Sequence, residues 1–152
     1  MILTMSMLAL ILLTSSFLST ISMHKAAYAQ NSTGFGQTTY LAPSNGKTIP
    51  VKYMINTGKL LGVVFDKSRA TLIAILSSPS PADNGNLTIQ IPREIVDNKK
   101  EGNADAPFRV HVDGKDATFK ETGNDKTTRT LSIQFNKDAK VVDIIGSTST
   151  VQ

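Results

Sequence analysis

Short runs in which apolar and polar residues alternate are the feature that most restricts what this chain can fold into. In one of them Leu87, Ile89 and Ile91 are separated by single polar residues. Because successive side chains of a β-strand point to opposite faces of a sheet, a period of two is typical of a half-buried strand. Similar runs recur through residues 49–145, and clusters of Gly, Pro, Asn and Asp separate them. This region is therefore expected to form strands.

Eight short strands are expected, at residues 49–55, 59–65, 71–76, 87–91, 108–112, 117–121, 131–135 and 140–145. Short strands at this spacing, with turn residues between them, are typical of an all-β sandwich of the immunoglobulin-like type. Asp113-Gly114 is a strong hairpin signal, because glycine accepts the positive φ of a tight turn. Residues 93–99, which follow Pro92, are the one place where a helical turn is expected. We therefore predict one sandwich domain over residues 49–152.

Three of the expected strands have no clearly polar face. Residues 60–65, 72–76 and 141–145 are apolar at most positions, whereas the outer face of a sandwich sheet normally meets water. A loop, the polar segment 30–48, or a bulge that changes which residues point inward can account for this. Alternatively, the face contacts a partner or a second copy of the chain. In that case the expected interaction face comprises Leu60, Val64, Val141 and Ile145.

The N-terminal segment has the features of a secretory signal peptide. Residues 1–23 carry no charged side chain, and residues 7–13 form a dense apolar run. Ala27-Tyr28-Ala29 fits the small-x-small pattern of a signal-peptidase site, with cleavage before Gln30. The basic residues that usually precede such a run are missing. The alternative is an uncleaved anchor, because about 20 apolar residues span a bilayer.

These observations divide the chain into three parts. Residues 1–29 are the signal peptide or anchor, residues 30–48 are a flexible arm rich in Gly, Ser, Thr and Asn, and residues 49–152 are the sandwich domain. Cleavage and anchoring both place the domain outside the cytoplasm. The expected location is therefore extracellular or at the cell surface.

Composition and motifs exclude several classes of function. The chain has no Cys, which excludes a disulfide framework, a thiol nucleophile and Cys-ligated zinc or copper sites. His24 lies in the N-terminal segment, so His111 is left alone and is expected on the outer face of its strand. A net charge of +4 with scattered lysines is no footprint for nucleic acid, and nucleotide-binding glycine motifs do not occur. We predict no cofactor and no enzymatic activity.

One loop concentrates acidic residues, namely Asp97, Glu101 and Asp105. Their oxygens suit calcium, but the spacing differs from an EF-hand and Lys99-Lys100 lies between them. Two carboxylates across a cleft would also serve a glycosidase. We expect a solvated loop, with calcium binding and a small carboxylate-dependent enzyme as alternatives.

Several segments match a known kind of domain. They are I-P-V-K-Y at residues 49–53, L-T-I-x-I-P-R at residues 87–93 and F-x-V-x-V-D-G at residues 108–114. Over about two thirds of its length the chain resembles a small extracellular β-sandwich domain of ammonia-oxidising archaea (Thaumarchaeota). The resemblance implies the fold and export, and it implies no particular chemistry.

Three charged residues of the matching region lie beside apolar runs. Glu121 is in register with Ala117 and Phe119, so its carboxylate is expected to point toward the interior, where it needs a cation. We hypothesise that Glu121 pairs with Arg93 or Arg129 as a structural ion pair. The alternative is that the three charges are solvated separately.

Two N-x-[ST] sequons mark possible glycosylation sites, at Asn31 and Asn86. Asn31 lies in the polar arm and is expected to be the better acceptor. Asn86 is expected on the turn before a strand, where it is accessible but constrained.

Together these features predict an exported, non-catalytic binding or structural module at the cell surface or in the envelope. Its partner is expected to be an unknown envelope protein or a second copy of the chain. Contact with the membrane is expected only through residues 1–23, if they stay uncleaved. The alternatives are a membrane-tethered accessory subunit held by those residues and, with less support, a small secreted enzyme.

Overall fold

A computed structural model describes residues 38–44, 46–77 and 84–147 of the chain. The described strands are β1 Thr38–Ser44, β2 Lys47–Ile55, β3 Lys59–Asp66, β4 Thr71–Ser77, β5 Gly85–Pro92, β6 Arg109–Val112, β7 Lys115–Asp116, β8 Phe119–Asn124, β9 Thr128–Phe135 and β10 Val141–Ile145. One turn of 3-10 helix spans Glu101–Asn103. The predicted signal peptide or anchor and Asn31 lie outside the described residues. Within the described ranges, no helix has the length and apolar character needed to cross a bilayer.

The strands form two antiparallel sheets of five strands each. Sheet A has the order β1-β2-β5-β9-β8, and sheet B has the order β3-β4-β10-β6-β7. Consecutive strands that pair as hairpins stay within one sheet, and the other connections cross to the opposite sheet. The prediction of an all-β sandwich is confirmed at this level.

The core lies between the sheets and consists of alternate residues of each strand. Sheet A contributes fully buried Val51, Leu87, Ile89, Ile91, Leu131 and Ile133, and sheet B contributes Val63, Leu72, Ala74, Val142 and Ile144. Fully burying one such Val, Leu or Ile side chain stabilises the fold by about 1.5–3 kcal/mol. The period of two in the sequence therefore corresponds to this inward-facing set.

Strand β1 corrects the predicted arm. Residues 38–44, assigned above to a flexible arm over residues 30–48, form a strand that pairs with β2, with Tyr40 opposite Val51 and Ala42 opposite Ile49. Ala42 is fully buried and Tyr40 packs against the core. The strand was hidden because its inward-facing residues are few and its polar residues are mostly threonines. Threonine, tyrosine and other β-branched or aromatic residues nevertheless favour strands.

The predicted hairpin at Asp113-Gly114 is shorter than expected. Asp113 and Gly114 have φ of 49° and 76°, as a tight turn between paired strands requires. The second strand, β7, has only two residues, and the chain then leaves sheet B and enters sheet A as β8. The expected strand at residues 117–121 therefore begins at Phe119 and lies in the opposite sheet from β6.

Candidate functional site

The outer face of sheet B carries apolar side chains on three neighbouring strands. The register places Val64 opposite Ile73 and Ile75 opposite Val141. Val64 is 48% exposed and Ile75 is 37% exposed. Ile73, Val141 and Ile145 are half-buried. We call these five residues the sheet B patch.

Leu60 does not belong to this face, which corrects the prediction. A bulge between Leu60 and Gly62 shifts the register of β3 against β4. Because the bulge changes which residues point inward, Leu60 is only 7% exposed and lies in the core, whereas Leu61 is 46% exposed. Val64, Val141 and Ile145 remain on the outer face.

Asp143 interrupts the sheet B patch on β10, and polar side chains of β6 border it. Asp143 lies opposite Ile73 on one side and opposite His111 on the other. His111 is half-buried, and its Nε2 lies 3.1 Å from Oδ1 of Asp116. The outer face of sheet B is therefore apolar over β3 and β4 and polar over β6 and β7.

The outer face of sheet A is different, because polar residues cover most of it. One row across this sheet runs through Met54, Thr88, Ser132 and Lys120. Met54 and Leu41 are exceptions, since they are apolar and are 43% and 38% exposed. Sheet A thus has the alternation of apolar inner and polar outer residues that is usual for a solvated antiparallel sheet.

Glu121 and Arg129 form a two-point ion pair at one end of the sandwich. Arg129 Nε and Nη2 donate hydrogen bonds to Glu121 Oε1 and Oε2, each at 2.8 Å. The Arg129 side chain is only 1% exposed, and its guanidinium carbon lies 4.3 Å from the centre of the Phe108 ring. The hydrogen bonds to Glu121 raise the pKa of Arg129 above its usual value. A buried guanidinium of this kind depends on its carboxylate partner.

Arg93 lies against other carboxylates instead of Glu121. Its Nη1 donates to both oxygens of Asp97 at 2.9 and 2.7 Å, and Nη1 and Nη2 donate to Asp105 at 2.9 and 2.7 Å. Nη2 also donates to Asn124 Oδ1 at 2.6 Å, and Nε donates to the carbonyl of Asp125 at 2.8 Å. Arg93 thereby joins the connection between β5 and β6 to the hairpin of β8 and β9.

This arrangement gives the acidic loop a structural role. Asp97 and Asp105 accept hydrogen bonds from Arg93, and Asp105 also accepts one from Lys99 Nζ. The hydrogen bonds from Arg93, Lys99 and Asn124 hold the pKa of Asp105 well below its usual value. A general acid needs a raised pKa, so Asp105 is poorly suited to that task. In the part of the chain that the structure describes, no group of three or more His, Cys, Asp or Glu side chains is arranged to hold a metal ion.

Asn86 lies within β5 and not on the turn before it. Its Nδ2 donates to Ser132 Oγ at 2.9 Å, and its backbone amide donates to Asn56 Oδ1 at 2.6 Å. The nitrogen that would carry a glycan therefore has a hydrogen-bond partner in the folded sheet. Attachment at Asn86 is easiest before the domain has folded.

A cleft lies at the end of the sandwich opposite the ion pairs. Its volume is about 590 Å³, and five carboxamide side chains line it, those of Asn56, Asn84, Asn86, Gln134 and Asn136. The hairpin of β6 and β7 adds Asp113, Lys115 and Asp116, and Phe135 contributes an aromatic ring. Sequence reasoning missed this cleft because its residues are far apart in the chain. The only local signal is Asn at strand ends, which is ordinary turn chemistry.

The described residues thus present an apolar sheet face, an ion-paired end and a carboxamide-lined cleft. The ion pairs satisfy one another, whereas the face and the cleft have groups available to other molecules. Comparison of the chain with protein-family models, with curated proteins and with solved structures gives no match.

Proposed function

We propose that the protein is an exported, non-catalytic binding or structural module that contacts a protein partner through the sheet B patch. The observation that carries this proposal is the apolar outer face of β3 and β4, continued by Val141 and Ile145 on β10, on which Val64 and Ile75 are exposed. Removing apolar surface from water is favourable by about 25 cal/mol per Å². On soluble proteins, contiguous exposed apolar surface marks sites of interaction.

The shape and chemistry of the sheet B patch favour a protein surface as its partner. Its side chains are aliphatic and lie on a sheet, and sheets pack face to face through such residues. The bulge in β3 interrupts the edge of sheet B, which disfavours the addition of another strand there. The partner is therefore expected to pack on the face. An envelope protein or a second copy of this chain fits that description.

Pairing among the charged groups supports the non-catalytic part of the proposal. Arg93 engages Asp97 and Asp105, and Arg129 engages Glu121. Carboxylates used in this way fix the positions of loops. The lowered pKa of Asp105 suits ion pairing better than proton donation.

The Val64→Lys variant tests the patch. A lysine there places a charge within the contact, so we expect loss of dimers in sedimentation velocity or of the partner recovered by cross-linking on native cells. The matched control is Met54→Lys, since Met54 is similarly exposed but lies on sheet A. Association that survives Val64→Lys, or that Met54→Lys disrupts equally, would contradict the proposal. Circular dichroism of both variants checks that the fold is intact.

Export and the finer fold type also belong to the proposal. Export is supported by the pattern of residues 1–29 and by the resemblance to an extracellular archaeal domain. The immunoglobulin-like type is supported by two antiparallel sheets joined by crossing connections. Intact mass of the protein from the medium and from membranes of native cells tests export. A soluble species that begins at Gln30 is expected, whereas a full-length species found only in membranes would indicate a tethered subunit.

A further inference from the structure

The cleft opposite the ion pairs is a second surface that the proposed function does not use. We propose that this cleft binds an uncharged, hydroxyl-rich ligand, a glycan, through the side chains of Asn84, Gln134 and Asn136. The proposal is independent of the sheet B patch, because these residues lie on or beside β5 and β9 of sheet A.

The fold brings the three carboxamides together by pairing the start of β5 with the end of β9. Gly85 lies opposite Phe135, and Asn86 lies opposite Gln134. Asn84 precedes the first pair along β5, and Asn136 follows it along β9. The crossing of the chain from β7 to β8 provides the other wall, at Ala117 and Thr118.

Gly85 leaves room for the aromatic ring of Phe135 at the wall of the cleft that β5 and β9 form. A Cβ atom at residue 85 would be only 2.1 Å from Cζ of Phe135. The ring therefore occupies the space above the glycine backbone that any other side chain would need. Phe135 and Val112 give the cleft small apolar areas between its polar groups. A sugar ring complements such a surface, because it presents both apolar C–H groups and polar O–H groups.

The hydrogen bonds show which side-chain carboxamides of the cleft are engaged within the protein and which are available to a ligand. The side chain of Asn56 is held in place because its Oδ1 accepts a hydrogen bond from the backbone amide of Asn86. The side chain of Asn86 is held because its Nδ2 donates to Ser132 Oγ. Among the described residues, the exposed side chains of Asn84, Gln134 and Asn136 make no hydrogen bond. Each of these carboxamides offers two donor hydrogens and an acceptor oxygen. A hydroxyl also donates and accepts, so vicinal hydroxyls complement carboxamides directly.

The charged groups and the volume of the cleft limit the class of ligand that can bind there. Asp113 is already engaged, because its Oδ1 accepts hydrogen bonds from the amides of Lys140 and Val141 at 3.0 and 2.9 Å. Asp113 and Asp116 disfavour an anion, and among the described lining residues Lys115 is the only cation. An apolar ligand would leave the amides unpaired, which is costly. A volume of about 590 Å³ lies within the range of small-molecule sites.

The test is a titration of the purified, ¹⁵N-labelled full-length protein with two probes, maltotriose and chitotriose. The side-chain NH₂ groups of Asn and Gln give their own signals in a ¹⁵N–¹H correlation spectrum. We expect saturable shifts of those from Asn84, Gln134 and Asn136 with at least one probe, at a Kd of about 1 mM. Absence of saturable shifts there with both probes would overturn the proposal, as would shifts spread evenly over sheet A.

A test variant and a control variant show whether the ligand is bound by these carboxamides. The double variant Gln134→Ala, Asn136→Ala is expected to weaken binding at least tenfold, because it removes two of the three available carboxamides. The control is Gln90→Ala, which removes an outward-facing carboxamide near the other end of β5. Equal loss in both variants would contradict the proposal. Binding by the Val64→Lys variant should be unchanged, so failure of the partner contact and failure of the glycan site are distinguishable.

Discussion

The two ends of the sandwich use polar residues in opposite ways, although β5 and β9 run through both. At one end Arg93, Asp97 and Asp105, and likewise Glu121 and Arg129, satisfy one another at hydrogen-bond distance. At the other end, the exposed carboxamides of Asn84, Gln134 and Asn136 have no hydrogen-bond partner among the described residues. Polar character therefore does not identify a binding site by itself. What matters is whether the fold has already used the hydrogen-bonding groups.

The largest effect is expected for Glu121→Ala at the ion-paired end. Removing the carboxylate leaves the buried guanidinium of Arg129 with only its longer contacts to Asp97 and to the Asn98 carbonyl, at 3.5 and 3.3 Å, which costs about 3 kcal/mol of unfolding free energy. Urea denaturation measures the change. Arg69→Ala is the control, since the Asp66–Arg69 pair is exposed and its loss should leave the urea midpoint nearly unchanged. Similar midpoints for the two variants would show that burial of Arg129 has no such consequence.

A smaller loss is expected for Gly85→Ala at the cleft end. The added Cβ collides with the Phe135 ring, and overpacking of this kind costs about 1–3 kcal/mol. Gly62→Ala is a matched control, because its added Cβ would meet its nearest atoms at 3.7 Å, an ordinary contact. The cost of Gly85→Ala should fall when Phe135 is also changed to Leu. If Gly85→Ala lowers the free energy of unfolding equally with phenylalanine and with leucine at position 135, the aromatic ring is not the cause.

Lowering the pH should reduce the contribution that ionised Asp105 makes to the stability of the fold. The pKa of Asp105 is lower in the folded protein than its unfolded value of about 3.9. The ionised group therefore stabilises the fold above about pH 4, and this contribution is lost as the pH falls through the folded pKa. We expect Asp105→Asn to be less stable than the parent at pH 7 and to lose less stability on acidification. Thermal unfolding at a series of pH values measures both. Parallel pH profiles for the two proteins would contradict this.

The smallest effect on stability is expected for Gln134→Ala and Asn136→Ala. Because these side chains are exposed and bond to nothing in the described residues, the free energy of unfolding should change by no more than about 0.5 kcal/mol. Urea denaturation again provides the measurement. A loss of more than 2 kcal/mol would assign the carboxamides a structural role and would make the two ends of the sandwich alike.

The two-sheet structure was predictable, because the alternation of apolar and polar residues indicates which side chains are buried. Leu87, Ile89 and Ile91 all point inward as expected. Leu60 was misplaced because a bulge reverses the alternation and two adjacent leucines conceal it. Strand β1 was missed because few of its residues are apolar.

The partners of polar residues were less predictable than the strands. Alternation indicated that Glu121 faces inward, but the choice between Arg93 and Arg129 depends on which strands are neighbours. Pairing of β8 with β9 brings Glu121 to Arg129, and the loop after β5 brings Asp97 and Asp105 to Arg93. The cleft depends in the same way on pairing between residues that are distant in the chain.

Arg93 also has a consequence for how the chain reaches its fold. Its hydrogen bonds to Asn124 and to the Asp125 carbonyl span 31 and 32 residues, so they close a long loop as a disulfide would. A disulfide needs an oxidant, and its formation and reshuffling take seconds to hours. Ion pairs and hydrogen bonds form as soon as the segments meet, and they reopen without chemical change. Because the chain also has no Cys, refolding of this domain should proceed equally well under reducing and oxidising conditions.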